Sequence, residues 1–589
     1  MDDQNSEQPV PTKKFWTFIK SRKNDGSGVS PLKDQGVLIT DNKRRADLLN
    51  KQFQSAFGKK ESYNEQEFFE RCNMAWDESK PVMGDITVTQ EGVEKLLRQI
   101  TPTKAAGPDG VSPRYLREVA CEIAPVMTKL FQISLDTGKI PVDWKHAHVS
   151  PIFKKGERYR AENYRPISLT SLPCKLLEHI IVSAIMEFSD THSLLCAEQH
   201  GFRKSHSCET QLIGLIDEVS HTLEQGHQQD LLVMDFSKAF DKVNHSLLLH
   251  KLRCMGVQGN TNNWITEFLQ DRTQAVIIDG SVSDLATVES GVPQGSVLGP
   301  TLFLLYINDL PRDLTSKARL FADDTACHLE IRTATDHCTL QQDLDKLAAW
   351  EERWSMKFHP EKCMTMHMSR SRNTIQIPYT LHGHTLEQVT EAKYLGVTLA
   401  NDLKWSSHVQ GIAAKANKTL GFIRRNIKVN NKKLKGAAYK ALVRPILEYG
   451  SAAWDPYTQE DIDILERVQR RAARWVSNRF RKSSSVGEML QELRWPTLER
   501  RRRCARLTMF YRVHHGMAHI NSKFHPLPST RRRRVRSTHN SHYDLPSTKR
   551  TYRQKSFFPR TIPEWNSLPE DSVSETTLAS FKARLVTMQ

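Results

Sequence analysis

The sequence predicts an α+β chain in which short apolar strands interleave with helices up to about residue 400 and helices follow alone. Three stretches carry that prediction. The apolar run 231–234 ends at Asp235, as a short buried strand ends at a charged residue. The run 318–327 is strand-like on both sides of Asp323-Asp324, which fits a hairpin with the two acids at its tip. Residues 460–478 set Ile462, Leu465, Val468, Ala472 and Trp475 at helical spacing, with Arg467, Arg470, Arg471 and Arg474 along another face.

The 589 residues allow about three or four domains. Lys plus Arg number 84 against 67 Asp plus Glu, a formal net charge of +17, which points to a polyanionic partner. The 10 Cys are scattered and form no Cys-x-x-Cys pair, so neither a zinc ribbon nor a disulfide framework is legible, and reduced thiols are expected. The polar, acidic N-terminus is not that of a signal peptide, and no apolar run spans a bilayer. A nuclear or cytoplasmic protein without membrane contact is expected.

In chain order, residues 1–80 divide into a Gly- and Ser-containing linker to about residue 35, a helix capped by Asp41 through Leu48, Leu49, Phe53 and Phe57, and a polar, acidic stretch over 58–80. A globular unit begins at 81, with helical patterns over 93–100 and 112–135 around the loop Lys104–Gly110. The next region, 135–400, holds a hairpin (147–153 and 164–169, with Lys154, Lys155 and Gly156 at its turn) and helices at 173–190, 208–225, 244–254 and 261–271. Strands fit 275–279 and 286–290. The Gly-rich loop 291–296 leads into an apolar helix over 297–309; after the central hairpin come a helix at 338–355 and strands at 365–368 and 395–399. Residues 401–528 read as helices, and 529–589 as a basic tail expected to be poorly ordered over 529–556.

An isolated Asp-Asp is most often an ordinary turn. Here a third carboxylate, Asp235, closes a strand able to reach the same sheet. Like charges held together disfavour joint ionisation, and a divalent cation relieves them. An all-oxygen set suits Mg²⁺ or Mn²⁺ rather than zinc, and such sites hold two ions about 3.5–4 Å apart for phosphoryl transfer. The plain alternative for Asp235 is a helix cap. The loop Gly291-Val292-Pro293-Gln294-Gly295-Ser296 allows close approach of backbone to a ligand, and Gln294 offers a donor and an acceptor.

Asp235 with Phe240, Pro293-Gln294-Gly295 and Phe321-Ala322-Asp323-Asp324, in this order, resemble successive motifs of reverse transcriptases. Gly107-Pro108-Asp109-Gly110, Pro151–Gly156, Asn163–Leu169, Gly201-Phe202-Arg203, Met234–Asp241 and Tyr394–Val397 extend the likeness to the jockey-like, LINE-type enzymes of non-LTR retrotransposons. The resemblance implies a right-hand polymerase of fingers, palm and helical thumb, copying an RNA template onto a DNA primer from deoxynucleoside triphosphates. It implies metal ligation by Asp235, Asp323 and Asp324 beside the backbone of Phe236, and a steric gate against the ribose 2′-hydroxyl at Phe240. It places Gln294 and Gly295 in the nucleotide pocket. It also implies triphosphate contacts from Lys154, Lys155 and Arg165, and a general acid at Lys362, although the family commonly carries Asn where His359 stands. The Arg face of 460–478 would then track the duplex backbone; the alternative is a solvated face.

The runs 500–503 and 531–534 fit either RNA binding or nuclear import. The stretch before residue 81 is too short for an endonuclease core, so the expected chain is a polymerase half served by a separate endonuclease. Two rivals remain: a three-carboxylate nuclease or transposase, and a catalytically silent element remnant that only binds nucleic acid.

Overall fold

The computed structural model describes residues 28–371, 374–481, 483–521, 539 and 541–588. Most of the expected linker and the basic run 531–534 lie outside them. The described chain is α+β, with two five-stranded sheets and helices on their faces.

The central sheet runs Glu387–Gln388, Met364–Met368, Gln228–Asp235, Asp324–Ile331, Lys317–Phe321. Gln228–Asp235 is antiparallel to both neighbours. Its side chains alternate between two cores: Leu232 and Met234 join one with Cys327, while Leu231 joins another with Ala326, Met366 and Met368. A strand covered on both faces needs apolar residues at every position, which is why 231–234 reads as an unbroken apolar run. The polar start of that strand is buried as well and is satisfied locally. Asp230 accepts from Tyr379 Oη at 2.6 Å and lies 2.8 Å from His367 Nδ1.

The second sheet is built on the expected hairpin, His146–Phe153 antiparallel to Tyr164–Leu169, with Thr273–Ile278 parallel to the first strand. The helix Asn42–Gln54 packs on it through Ala46, Leu49 and Phe53, and Asp41 caps this helix by accepting from the Arg44 amide at 2.8 Å. After Ala400 the described elements are helices, which share the second core with the central sheet.

Several expectations are corrected. The polar stretch 58–80 contains the helix Glu65–Cys72, closed by an Asn64/Glu67 capping box and seated by Phe68. The single helical pattern over 112–135 breaks at Val119 into Pro113–Glu118 and Ala120–Thr137. Within the tail, residues 541–556 are held by the body. The backbone amides of Lys549 and Arg550 donate to Glu224 Oε1, and the buried Arg553 guanidinium pairs with Asp217. The helices Phe557–Asn566 and Leu578–Thr587 follow, anchored by Phe557, Phe558, Trp565 and Phe581. Among the described residues no helix is long and apolar enough to cross a membrane. The ten cysteines are free thiols.

Candidate active site

The strands Lys317–Phe321 and Asp324–Ile331 are joined by two residues, Ala322 and Asp323. Two-residue hairpins require positive φ at the first or both central positions, a role usually taken by glycine. Here Ala322 takes it, at φ +54. The strained turn is held from outside: Gln199 Oε1 accepts from the Ala322 amide at 3.0 Å and from the Gly201 amide at 2.7 Å. A side chain at Gly201 would put a carbon 2.4 Å from the Ala322 nitrogen, so the Gly201-Phe202-Arg203 motif begins at a residue with no room for one.

The pairing register sets Asp324 directly across from Asp235 at the end of its strand, with Asp323 in the turn beside them. The three acids named from the sequence therefore sit together at one end of the inner strands of one sheet. Lys362 joins them. The segment 357–363 is zipped to the chain after Asp235: the His359 amide donates to the Asp235 carbonyl at 2.8 Å and the Ser237 amide to the Lys357 carbonyl at 2.8 Å. Phe236 stacks on Phe358 at 4.1 Å. This carries Lys362 Nζ to 3.4 Å from Asp235 Oδ2.

Desolvation raises the Asp323 carboxyl above its ordinary range; Asp235 adds to this, while Arg165 and Lys154 oppose it. Asp324 is more open to solvent, yet desolvation by the surrounding protein and then the charges of Asp323 and Asp235 push it up to about 6, again against Lys154 and Arg165. The expected triphosphate contacts Lys154 and Arg165 thus act on the carboxylates from an exposed hairpin of the second sheet. Lys155 is exposed at the same turn.

Phe240 stacks on Phe303 at 4.5 Å and is half-buried, so one side of its ring is packed. Gln294 donates from Nε2 to Asp241 Oδ1 at 2.9 Å, and its carbonyl accepts from the Ser168 amide at 2.7 Å, which ties the Gly-rich loop to the second sheet. A side chain at Gly295 (φ +124) would come within 2.4 Å of the Ser168 carbonyl oxygen.

Arg467, Arg470 and Arg471 are exposed and Arg474 half-exposed on Gln459–Ser477, whose apolar stripe is buried as expected. Arg471 donates to Asn417 and Arg474 to the Arg481 carbonyl. They are not among the charges that act on the hairpin acids. Arginines of the run 500–503, for which RNA binding or nuclear import was expected, are also engaged within the chain as an internal brace. Arg501 pairs with Glu448, the fully buried Arg502 with Asp455, and Arg503 with Glu564, while Arg500 donates to the Val586 and Met588 carbonyls. A separate cleft of about 940 Å³, lined by Trp495, Met509 and Leu585 among others, contains none of the residues named for the site.

Sequence reasoning missed Gln199, which holds the turn, and the role of Asp241. The position of Gln199 just before the Gly201-Phe202-Arg203 motif is the signal that could have found the first.

Among the described residues, no three His, Cys, Asp or Glu side chains converge as a closed metal-ligand cluster. The donor chemistry nevertheless fits a hard divalent ion. The acids are oxygen donors, Asp324 stands opposite Asp235 in register with Asp323 in the adjoining turn, and their mutual repulsion is what such an ion relieves.

Residues 152–399 match the family described as reverse transcriptase (RNA-dependent DNA polymerase). That span contains every residue named above for metal and nucleotide, and it ends before the arginine-bearing helix. The chain is 27% identical over 438 residues to the RNA-directed DNA polymerase from mobile element jockey of Drosophila melanogaster, covering 70% of this chain and 48% of that protein. It is 28% identical over 405 residues to the probable RNA-directed DNA polymerase from transposon BS of the same species, covering 66% and 44%. To the Pol polyprotein of the type-2 retrotransposable element R2DM it is 25% identical over 320 residues, covering 51% and 29%. The chain spans about half the length of the jockey and BS proteins it matches.

Proposed function

We propose that this chain, whose residues 152–399 match the reverse transcriptase family, is a reverse transcriptase of the non-LTR retrotransposon type and extends a primer 3′-hydroxyl on an RNA template with deoxynucleoside triphosphates. The observation that carries this reading is the register pairing of Asp324 with Asp235, with Asp323 in the turn and Lys362 Nζ 3.4 Å from Asp235. In the right-hand description, the central sheet is the palm, the hairpin of the second sheet belongs to the fingers, and the helices after residue 400 form the thumb.

Asp235 and Asp323 are the residues to hold Mg²⁺ or Mn²⁺, with Asp324 in support and the Phe236 backbone alongside. When bound, the divalent ions supply the positive charge that phosphoryl transfer requires at the attacking and leaving oxygens. Arg165 and Lys154 bind the triphosphate from the fingers hairpin, with Lys155 next to them at its turn; a guanidinium suits bidentate contact and an ammonium a point contact. Gln294 and Gly295 line the nucleotide pocket, and Phe240, backed by Phe303, fills the space beside the sugar 2′ position. The Lys362 ammonium holds the proton to be given to the pyrophosphate leaving oxygen. The Arg467, Arg470, Arg471 and Arg474 face follows the template–primer backbone.

The test is primer extension by the purified protein on a primed RNA, run beside incubation with supercoiled plasmid and Mg²⁺. The reading expects extension and intact plasmid. No extension, with relaxed plasmid instead, would mark the carboxylates as a nuclease site.

A further inference from the structure

The run that follows Asp235 and the Gly-rich loop are joined along their length. The Val292 amide donates to the Phe240 carbonyl at 2.8 Å, the Gly291 amide to the Val243 carbonyl at 2.8 Å, and Ser290 Oγ to the Asp241 carbonyl at 2.7 Å. Gly291, at φ +86, lies so close that a side chain there would meet the Phe240 oxygen and Asp241 Cα at 2.7 Å. These bonds fix the loop to the backbone of the run. Among the described residues, one hydrogen bond reaches the functional end of Gln294: its Nε2 donates to Asp241 Oδ1 at 2.9 Å. Behind the pair lies a cavity of about 30 Å³, bounded by Asp241, Arg272, Gln274 and Gln294 among others. That is space for about one water molecule, and it lies beside a long, flexible side chain. A glutamine with room to turn keeps one rotamer only when something holds its amide.

We propose that Asp241 is a positioning residue which, by accepting from Nε2, holds the Gln294 amide toward the nucleotide and binds it to Phe240 as a single wall of the pocket. The proposal rests on the polymerase reading of the site and adds to it a residue with no assigned role. The setting of Asp241 agrees with this. Desolvation raises its carboxyl, and the hydrogen bond from Gln294 is the leading effect that restrains the rise, ahead of the charges of Lys238, Arg165 and Lys242. An acid withdrawn from water with the amide as its main counterweight holds that amide firmly.

The test is a double-mutant cycle on the full chain with Asp241→Ala, Gln294→Ala and both together, and with Asp241→Asn as the conservative variant. On primed poly(rA) with dTTP, Asp241→Ala is expected to raise KM about tenfold, the size of effect that loss of one well-placed hydrogen bond produces, with a much smaller change in kcat. The double variant should be no worse than Gln294→Ala, because Asp241 acts through that amide. Asp241→Asn keeps an acceptor oxygen and should recover most of the loss. Multiplying effects, or a parental KM in Asp241→Ala, overturn the proposal while leaving polymerase activity established by the parent. Melting temperatures of the same four proteins without nucleotide decide the tether independently of activity. Non-additive shifts support it and additive shifts overturn it, even if the parent extends no primer.

Discussion

The helical C-terminal third and the central hairpin treat carboxylates in opposite ways. Asp455 is buried and receives three guanidiniums: Arg502 Nε at 2.7 Å, Arg506 Nε at 2.9 Å and Arg560 Nη1 at 3.2 Å. Arg506 also reaches Thr561 Oγ1 at 3.2 Å and Glu564 Oε1 at 2.9 Å. At the hairpin the proportion is reversed. Asp324 lies across from Asp235 with Asp323 in the adjoining turn, and the cations near them, Lys154, Arg165 and Lys362, are exposed or half-exposed. Both places bring like charges together, but only one cancels them within the chain. Charge settled internally fixes how helices pack; charge left unsettled at the ends of inner strands is available to a ligand. The +17 net charge does not separate these uses, because the arginines of the brace and those of the exposed helix count alike.

The sharpest way to break the comparison is to remove one acid from each place. Asp323→Ala is expected to reduce primer extension by at least ~1,000-fold, as loss of a group that stabilises charge in the reacting complex does. Its melting temperature should not fall, since an acid with a raised pKa costs the fold stability when ionised. Asp455→Ala should do the reverse. It leaves buried guanidiniums without their acceptor, and breaking a buried pair costs about 3–5 kcal/mol, read as a large fall in denaturation midpoint. Any activity still present at low temperature should keep the parental nucleotide KM. If Asp455→Ala unfolds no more readily than Asp323→Ala, the brace does not carry the fold.

The exposed arginines are the intermediate case. Replacing Arg467, Arg470, Arg471 and Arg474 with Gln should leave the fold in place, because their side chains lie outside the buried stripe of Gln459–Ser477. Template–primer affinity should drop, and the log–log salt slope should flatten by about 0.9 for each phosphate that the helix no longer neutralises. Fluorescence anisotropy across a salt series reads both. An unchanged slope would return this helix to the category of the brace or of plain solvated surface.

The sequence showed the hairpin clearly, since two acids inside an apolar alternating run leave few other turns. The apolar run before Asp235 was equally legible, because burial on both faces demands it. The register that sets Asp324 against Asp235 was not, because it is a pairing between distant segments that no local pattern encodes. The approach of Lys362 depends on backbone bonds from 357–359 to 235–237, which are non-local in the same way. The partners of Arg501 to Arg503 were hidden for a related reason: a basic run is visible in sequence, but Glu448, Asp455 and Glu564, which accept its charge, lie tens of residues away. Composition also obscured the tail, whose segment around Arg553 looked too polar to pack until its partner Asp217 was in place.

The smallest expected effect probes the unsettled charge itself. Asp324 has a folded pKa of about 6, above the 3.8 of an ordinary Asp. Between those values the folded protein binds more protons than the unfolded chain, so stability falls as pH rises through that window. The penalty is absent below about pH 4 and complete above about pH 6. Asp324→Asn removes it. Without divalent ions at pH 7.5, the variant should therefore be more stable than the parent by about 1 kcal/mol, a value reduced for the solvent screening of an open side chain. At pH 4 the two should unfold together. Adding Mg²⁺ at pH 7.5 should raise the parent more than the variant, since only the parent has the full set of charges for the ion to relieve. Denaturant melts at two pH values, each with EDTA or with Mg²⁺, give all four comparisons. A variant that is less stable than the parent at pH 7.5 in EDTA would mean that Asp324 is paired within the chain, as Asp455 is, and the contrast between the two regions would fail at its most exposed acid.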